Sequence, residues 1–198
     1  MNWPHYRQIT TLLNNPSAPV VCFDAGFLSV RLLLATDQKL YRQLFTSKAV
    51  MQWIGEPLTD SQLTCSFAAA LQQNLAASTE LKPNSRLFLT ITDPAANTTP
   101  GLMAVTFNTS VHANRFNAEI GIMLLPFAQG KGLAVTALIS LCQRLLQLPQ
   151  VIHIICRITD GNLAAIKLVS ELGFVYCKQG NYYKLHNNNK ITDTGRFA

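Results

Sequence analysis

The sequence predicts an α/β (α+β) fold: a mixed, mostly antiparallel sheet flanked by helices. Three observations carry that reading. Asn117–Leu148 passes from a strand through a glycine-bearing turn into a helix: Ile120, Ile122 and Leu124 alternate with Glu119, Gly121 and Met123, and Val135, Leu138, Ile139, Cys142, Leu145 and Leu146 follow at helical spacing. Val151–Ile158, VIHIICRI, is a nearly continuous apolar run of the kind a strand covered on both faces requires. A strand, a crossover helix and a second strand make a parallel pair of Ala118–Leu125 and Val151–Ile158. Upstream, Arg86–Thr92 and Gly101–Phe107 flank a turn bearing Pro94 and Pro100, so they form a hairpin that Ala118–Leu125 extends into a meander.

The remaining elements follow in order. A short helix over His5–Leu13 and a break at Asn14–Ser17 make residues 1–26 an N-terminal extension. Phe27–Leu34 is the first strand, and Thr36-Asp37 starts a helix carrying Leu40, Tyr41, Leu44 and Phe45. A second helical run spans Ala49–Ile54 and ends at Gly55 and Pro57. Thr59-Asp60-Ser61 caps a third, with Leu63, Phe67, Ala70, Leu71 and Leu75 on its apolar side. Ala76–Ser85, polar and holding Pro83, reads as a loop. Pro149 stops the helix after the glycine turn near Leu148. Asn162 caps the last helix, Gly173 ends it, and Phe174–Lys178 with Tyr182–Leu185 closes the domain, 27–185, as a hairpin. Residues 186–198 form a polar tail.

Composition narrows the function. The 198 residues suit one well-buried core. With 48% apolar and 13% charged residues, the chain is neither disordered nor, lacking a run of eighteen apolar residues, membrane-spanning. Cys22, Cys65, Cys142, Cys156 and Cys177 are widely spaced with no C-x-x-C and no histidine pair, so neither zinc nor a disulfide framework is expected. They fit a reduced, cytoplasmic protein, a monomer or homodimer. The net charge of +6 comes from Lys and Arg scattered along the chain without aromatic interleaving, which argues against nucleic acid and suits a multiply charged anionic cosubstrate. His153, alone in an apolar strand, reads as a core residue.

The turn before the long helix is where such an anion would sit. Amides in a helix's first turn lack partners and lie at the positive end of its dipole, and Gly130 and Gly132 allow a phosphate close to the main chain. The G-x-x-x-x-G-K-[ST] loop is absent, because Lys131 is followed by Gly132. The dinucleotide pattern G-x-G-x-x-G fails at Val135. The pattern that fits is [QR]-x-x-G-x-[GA], with Gln129, Gly132 and Ala134 in its fixed places.

This loop resembles the acyl-coenzyme A loop of the GNAT N-acetyltransferase superfamily. Asn162–Phe174, an N-x-x-[AS] start followed by a helix ending in Leu-Gly-Phe, resembles a second signature of that family. Phe27–Pro57, with Arg31, Leu40, Phe45, Val50-Met51 and Trp53-Ile54-Gly55, resembles the opening of its RimJ/RimL-like branch, which acetylates ribosomal-protein N-termini. The resemblance implies a sheet of about six to seven strands with helices on both faces and the parallel pair splayed at the acyl-CoA site. It implies acetyl-CoA as cosubstrate, no metal, and an amine acceptor, either a protein N-terminus or a small amine. The helical region Thr36–Ser85 would shape the acceptor site.

By the same resemblance the pyrophosphate meets Gln129, Gly130, Lys131, Gly132, Leu133 and Ala134. The pantetheine arm lies along Ile122, Met123 and Leu124 with Asn162 nearby, and a main-chain N–H such as that of Met123 faces the developing oxyanion. Glu119, two residues before Gly121 on the same face, matches a general-base position of several members. A carboxylate is a weak base for an ammonium, so the role calls for burial or a relaying water. An α-amine loses its proton more readily than a lysine, which favours an N-terminal acceptor. The tyrosine that many members carry in the last helix is replaced here by Val169, and a serine of ribosomal-type members by Ala165. Those departures keep a non-catalytic acyl-CoA sensor or interaction module as the alternative.

Overall fold

A computed structural model of the chain describes residues 20–110 and 115–186. The expectations for a helix at His5–Leu13 and for a tail after His186 lie outside these residues. The strands are β1 (Cys22–Ala25), β2 (Leu28–Leu32), β3 (Arg86–Asp93), β4 (Thr98–Thr109), β5 (Phe116–Leu124), β6 (Val151–Cys156), β7 (Val175–Cys177) and β8 (Tyr182–His186). The helices are α1 (Gln38–Phe45), α2 (Lys48–Met51), α3 (Asp60–Thr79), α4 (Leu133–Leu146) and α5 (Leu163–Glu171). The strands form one sheet in the order β1-β2-β3-β4-β5-β6-β8-β7, antiparallel except for β5 and β6.

Alternation along the central strands makes two cores. Leu87, Leu89 and Ile91 of β3, Met103, Val105 and Phe107 of β4, and Ala118 and Ile120 of β5 face α4, which contributes Ala137, Leu138, Leu141, Cys142 and Leu145. On the opposite face Leu102 of β4, together with Leu125, packs with Leu40, Tyr41 and Leu44 of α1 and Leu63, Phe67 and Ala70 of α3. Helices therefore cover both faces, as expected of a sheet that must bury two apolar surfaces.

Three departures from the sequence reading have local causes. β1 falls inside the stretch read as an extension and pairs with β2 from Cys22↔Arg31 to Ala25↔Leu28; a four-residue strand with Asp24 in it is too short to show a period. β2 ends at Leu32 because Leu33 and Leu34 turn away, Leu34 N–H donating to Asp37 Oδ2 at 2.8 Å. α3 continues to Thr79 through the start of the expected loop, since Ala77 is buried and Ser78 and Thr79 hydroxyls donate back to the Leu75 carbonyl.

Asn74 of α3 joins helix to sheet. Its Nδ2 donates to the carbonyls of Phe88 (2.9 Å) and Leu33 (3.3 Å), and its Oδ1 accepts from the Phe88 N–H (2.7 Å), so one buried amide replaces a strand neighbour where β2 leaves β3. Asn74→Ala takes this partner from the Phe88 N–H and the Leu33 carbonyl, while the Phe88 carbonyl keeps the Leu33 N–H (2.8 Å), and we expect it to cost about 2 kcal/mol. Urea unfolding reads this as a lower midpoint at constant slope. A change below roughly 0.5 kcal/mol would show that water takes over the bonds.

Candidate active site

The parallel pair opens part-way along. β5 and β6 pair from Phe116↔Val151 to Glu119↔Ile155, with one register shift on β6 between Val151 and His153, and part there, although β5 continues to Leu124. A cleft of about 570 Å³ enters this gap. On the α1–α3 face it is walled by Phe45, Trp53, Ile54 and Phe88 above a floor of Ala104, Thr106, Glu119, Gly121 and Met123; on the other side it reaches Leu138 of α4 and Asn162, Ala165 and Val169 around α5. Trp53 closes over the opening: its carbonyl accepts from the Thr159 hydroxyl (2.8 Å) and its ring lies against Gly161.

The loop expected to hold an anion ends β5. Gly130 and Gly132 have φ of 72° and 76°, a left-handed backbone that β-carbons disfavour. Gly132 is the N-cap of α4 and no side chain caps the helix, so its first amides face open space, where a Cβ on Gly132 would meet nothing within 4 Å. Gln129 folds back along the surface, its Nε2 donating to the Leu124 carbonyl (3.0 Å), and both Gln129 and Lys131 are exposed. Residues 129–134 lie outside the cleft lining. Leu138, which lines it, follows Leu133 on α4 by about 8 Å of helix rise.

Main-chain direction corrects one expectation. Phe116 N–H donates to Gln150, on the β6 side, and Leu125 N–H donates to Pro100, on the β4 side, with no register shift between β4 and β5. N–H groups alternate sides along a strand, so those of Ile122 and Leu124 point to the gap. Met123 N–H instead points into the ladder with Leu102, its partner on β4. The amides that face the gap are therefore those of Ile122 and Leu124, not that of Met123.

Glu119 lies on the cleft floor, and its Oε2 is held by Asn108 Nδ2 (2.8 Å) and by an ion pair with Arg157. Neither partner was anticipated. Arg157 is the first polar residue past the apolar run of β6, at the carboxyl end of a parallel strand where ligands of open sheets gather. Asn108 is offered by alternation alone, two residues from Thr106 on the same face of β4. Of the sequence-predicted site residues, Glu119, Ile122, Met123 and Asn162 meet on the cleft, and Leu124 and Gln129–Ala134 are not part of its lining. Asn162 Oδ1 also accepts from Ala165 N–H (3.2 Å), which makes it the expected helix cap. His153 does not line the cleft.

Among the described residues no tyrosine lines the cleft: Tyr176, Tyr182 and Tyr183 sit on the β7–β8 hairpin, and Val169 is buried. Cys156 does line it, but burial, with the Glu119 charge adding to it, pushes its thiol up to about 12. At neutral pH it stays a thiol, neither an acyl-accepting thiolate nor an acid able to protonate a coenzyme thiolate near ~8.5. The five cysteines are free. Among the described residues no cluster of His, Cys, Asp or Glu could hold a metal, and no helix is long and apolar enough to cross a membrane.

A mixed sheet whose one parallel pair opens beside a left-handed glycine turn and an uncapped helix is the architecture of an acyl-carrier-binding transferase. The model of the acetyltransferase (GNAT) domain matches residues 28–175, and the chain belongs to this family. Solved structures with the same fold include a spermidine N-acetyltransferase from Vibrio cholerae, in complex with CoA and spermine (21% identity, 76% of this chain and 82% of that one, TM-score 0.62). A ribosomal-protein-S5-alanine acetyltransferase from Vibrio fischeri matches over 85% and 97% of the two chains at 16% identity and TM-score 0.66. An aminoglycoside acetyltransferase in complex with coenzyme A matches over 80% and 94% at 18% identity and TM-score 0.63. No protein with a curated description matches in sequence.

Proposed function

We propose that this chain is an acetyl-CoA-dependent N-acetyltransferase that moves an acetyl group to a primary amine. The acceptor is a protein N-terminal α-amine of the RimJ/RimL type or a small amine, and the setting is the cytoplasm. The observation that carries the reading is the opening of β5 from β6 beyond Glu119, which ends at the Gly130–Gly132 turn. Main-chain groups of Ile122 and Leu124 hold the pantetheine arm like an added strand, and the amides from Gln129 to Ala134 take the pyrophosphate. The acceptor approaches from the Phe45–Trp53 side, so amine and thioester meet at the gap in near-attack geometry without a covalent enzyme intermediate. Glu119 draws the proton from the amine directly or through one water. The thiolate leaves into solvent, because among the described residues no lining side chain is suited to protonate it.

Incubation with acetyl-CoA and a panel of peptides and amines, read by mass spectrometry, tests the transfer. Coenzyme binding is tested separately: at a hundred times its dissociation constant the ligand should stabilise the fold by about 2.7 kcal/mol. Binding without transfer to any amine would favour the acyl-CoA sensor. Gly132→Val forces a β-branched residue to φ near 76°, at roughly 1–3 kcal/mol, and sets methyls where the phosphate must come. We expect at least about tenfold weaker coenzyme binding. Met123→Ala should leave binding nearly unchanged, because the arm is held by main chain; equal effects of the two substitutions would refute the loop assignment.

A further inference from the structure

The charges lining the cleft point to what the acceptor carries besides its amine. Arg86, Thr106 and Glu119 are Cα partners in one row across β3, β4 and β5, with Phe88, Ala104 and Gly121 in the next row and Met123 beyond. Two strand spacings separate Arg86 from Glu119, roughly 10 Å. Among the described residues Glu119 is the only acidic one in the lining, and it is already paired with Arg157. The Arg86 side chain makes no ion pair or hydrogen bond among the described residues, so one positive charge is left over at the far end of the row.

A second cleft of about 500 Å³ begins where the first ends, sharing Arg86 and Thr106 with it. Its other walls are uncharged, among them Gln73, Asn84, Ser85 and Asn108, and Gln73 Oε1 is shielded from solvent without a partner. A ligand spanning both clefts meets in turn the gap beside Glu119, an aromatic and aliphatic middle, and a polar end with a lone guanidinium and an acceptor awaiting an N–H donor.

We propose that the acceptor is an amine bearing an anionic group roughly 7–10 Å from its nitrogen, gripped by Arg86 at the mouth of the second cleft, and that polycations are poor acceptors. An N-terminal peptide with an acidic residue at position two or three has this shape, and its amides supply a donor for Gln73. A free ω-amino carboxylate of the same span shares the charge pattern without those amides. Spermidine or an aminoglycoside would bring several cations to a lining that offers no unpaired carboxylate. The inference deepens the proposed transfer and rests on it.

The test compares kcat/KM for three otherwise identical tetrapeptides with Asp, Gln or Lys at position two, for 6-aminohexanoate and for spermidine. Wild type, Arg86→Lys and Arg86→Glu are used, all loaded with acetyl-CoA. Wild type should favour the Asp over the Lys peptide by about tenfold, the worth of one charge-assisted pair. Arg86→Glu should erase or invert that ratio through KM, Arg86→Lys should keep part of it, and coenzyme binding should be unchanged in both. If 6-aminohexanoate matches the Asp peptide, the anion comes from a small molecule; if it trails, the peptide amides matter, and either result upholds the Arg86 contact. A wild-type preference for spermidine or the Lys peptide, or a ratio untouched in Arg86→Glu, overturns it. Coenzyme binding without transfer to any acceptor overturns the transferase reading instead, and this inference with it.

Discussion

Replacing Glu119 by glutamine is expected to lower kcat by at least about a hundredfold, the smaller end of what a positioned general base contributes, while coenzyme affinity stays the same. Glutamine keeps the size of the side chain and can still meet Asn108 and Arg157, but it accepts no proton. The fold should barely notice. The ion pair that is lost joins side chains 28% and 53% exposed, and such pairs contribute at most roughly 1 kcal/mol. A fall in kcat with an unmoved melting temperature would therefore report chemistry. The defect should also shrink as pH rises, because more of the acceptor then arrives already neutral. Undiminished turnover would reassign Glu119 to holding Arg157 and the β6 end of the gap.

The second large effect is on stability. Asp37, 6% exposed, receives both arms of the Arg31 guanidinium (2.6 and 2.8 Å), the Leu34 N–H (2.8 Å) and the Thr90 hydroxyl (2.9 Å). Burial by itself would raise its pKa, but the Arg31 hydrogen bonds, the Leu34 amide, the Arg31 charge and the Thr90 bond outweigh it and hold the carboxyl below its usual value. Asp37→Ala leaves a partly buried guanidinium with only the Leu32 carbonyl (3.1 Å), removes the partner of the Leu34 amide and of the Thr90 hydroxyl, and should cost about 3 kcal/mol. Calorimetry would register this as a melting temperature lower by roughly 6–12 °C. Because the folded pKa is depressed, the carboxylate's contribution is complete above the unfolded value near ~3.9 and disappears as pH falls through the folded one. Wild type should thus lose stability on acidification below about pH 4 more steeply than Asp37→Asn, which has no proton to gain. Parallel acid curves for the two would show that the charge contributes nothing.

The same cluster explains why the opening of the chain was readable only in part. Arg31 stood out as one charge in an apolar strand, and Asp37 as a helix start. The two clamp each other across the turn from β2 into α1, and the hydroxyl that completes the cluster comes from Thr90, more than fifty residues away. Trp53 behaves likewise: its stretch marked the end of a helical run, yet its contacts are Thr159 and Gly161, across the cleft.

What the sequence determined by itself was everything written in local period and local backbone demand. The Gln129–Ala134 turn with its two left-handed glycines, the Asn162 cap and the place of Glu119 on the open face of β5 follow from residues within a few positions of one another, and the parallel pair follows from the order of three successive elements. Tertiary structure alone decided where β5 and β6 part and which main-chain amides then face the gap. It also decided that Arg157 and Asn108 hold Glu119, and that Arg86 joins its row. Those facts depend on strand register and on the lengths of intervening loops, which bring together residues 11 to 38 positions apart at Glu119 alone, and no spacing in the chain encodes such distances.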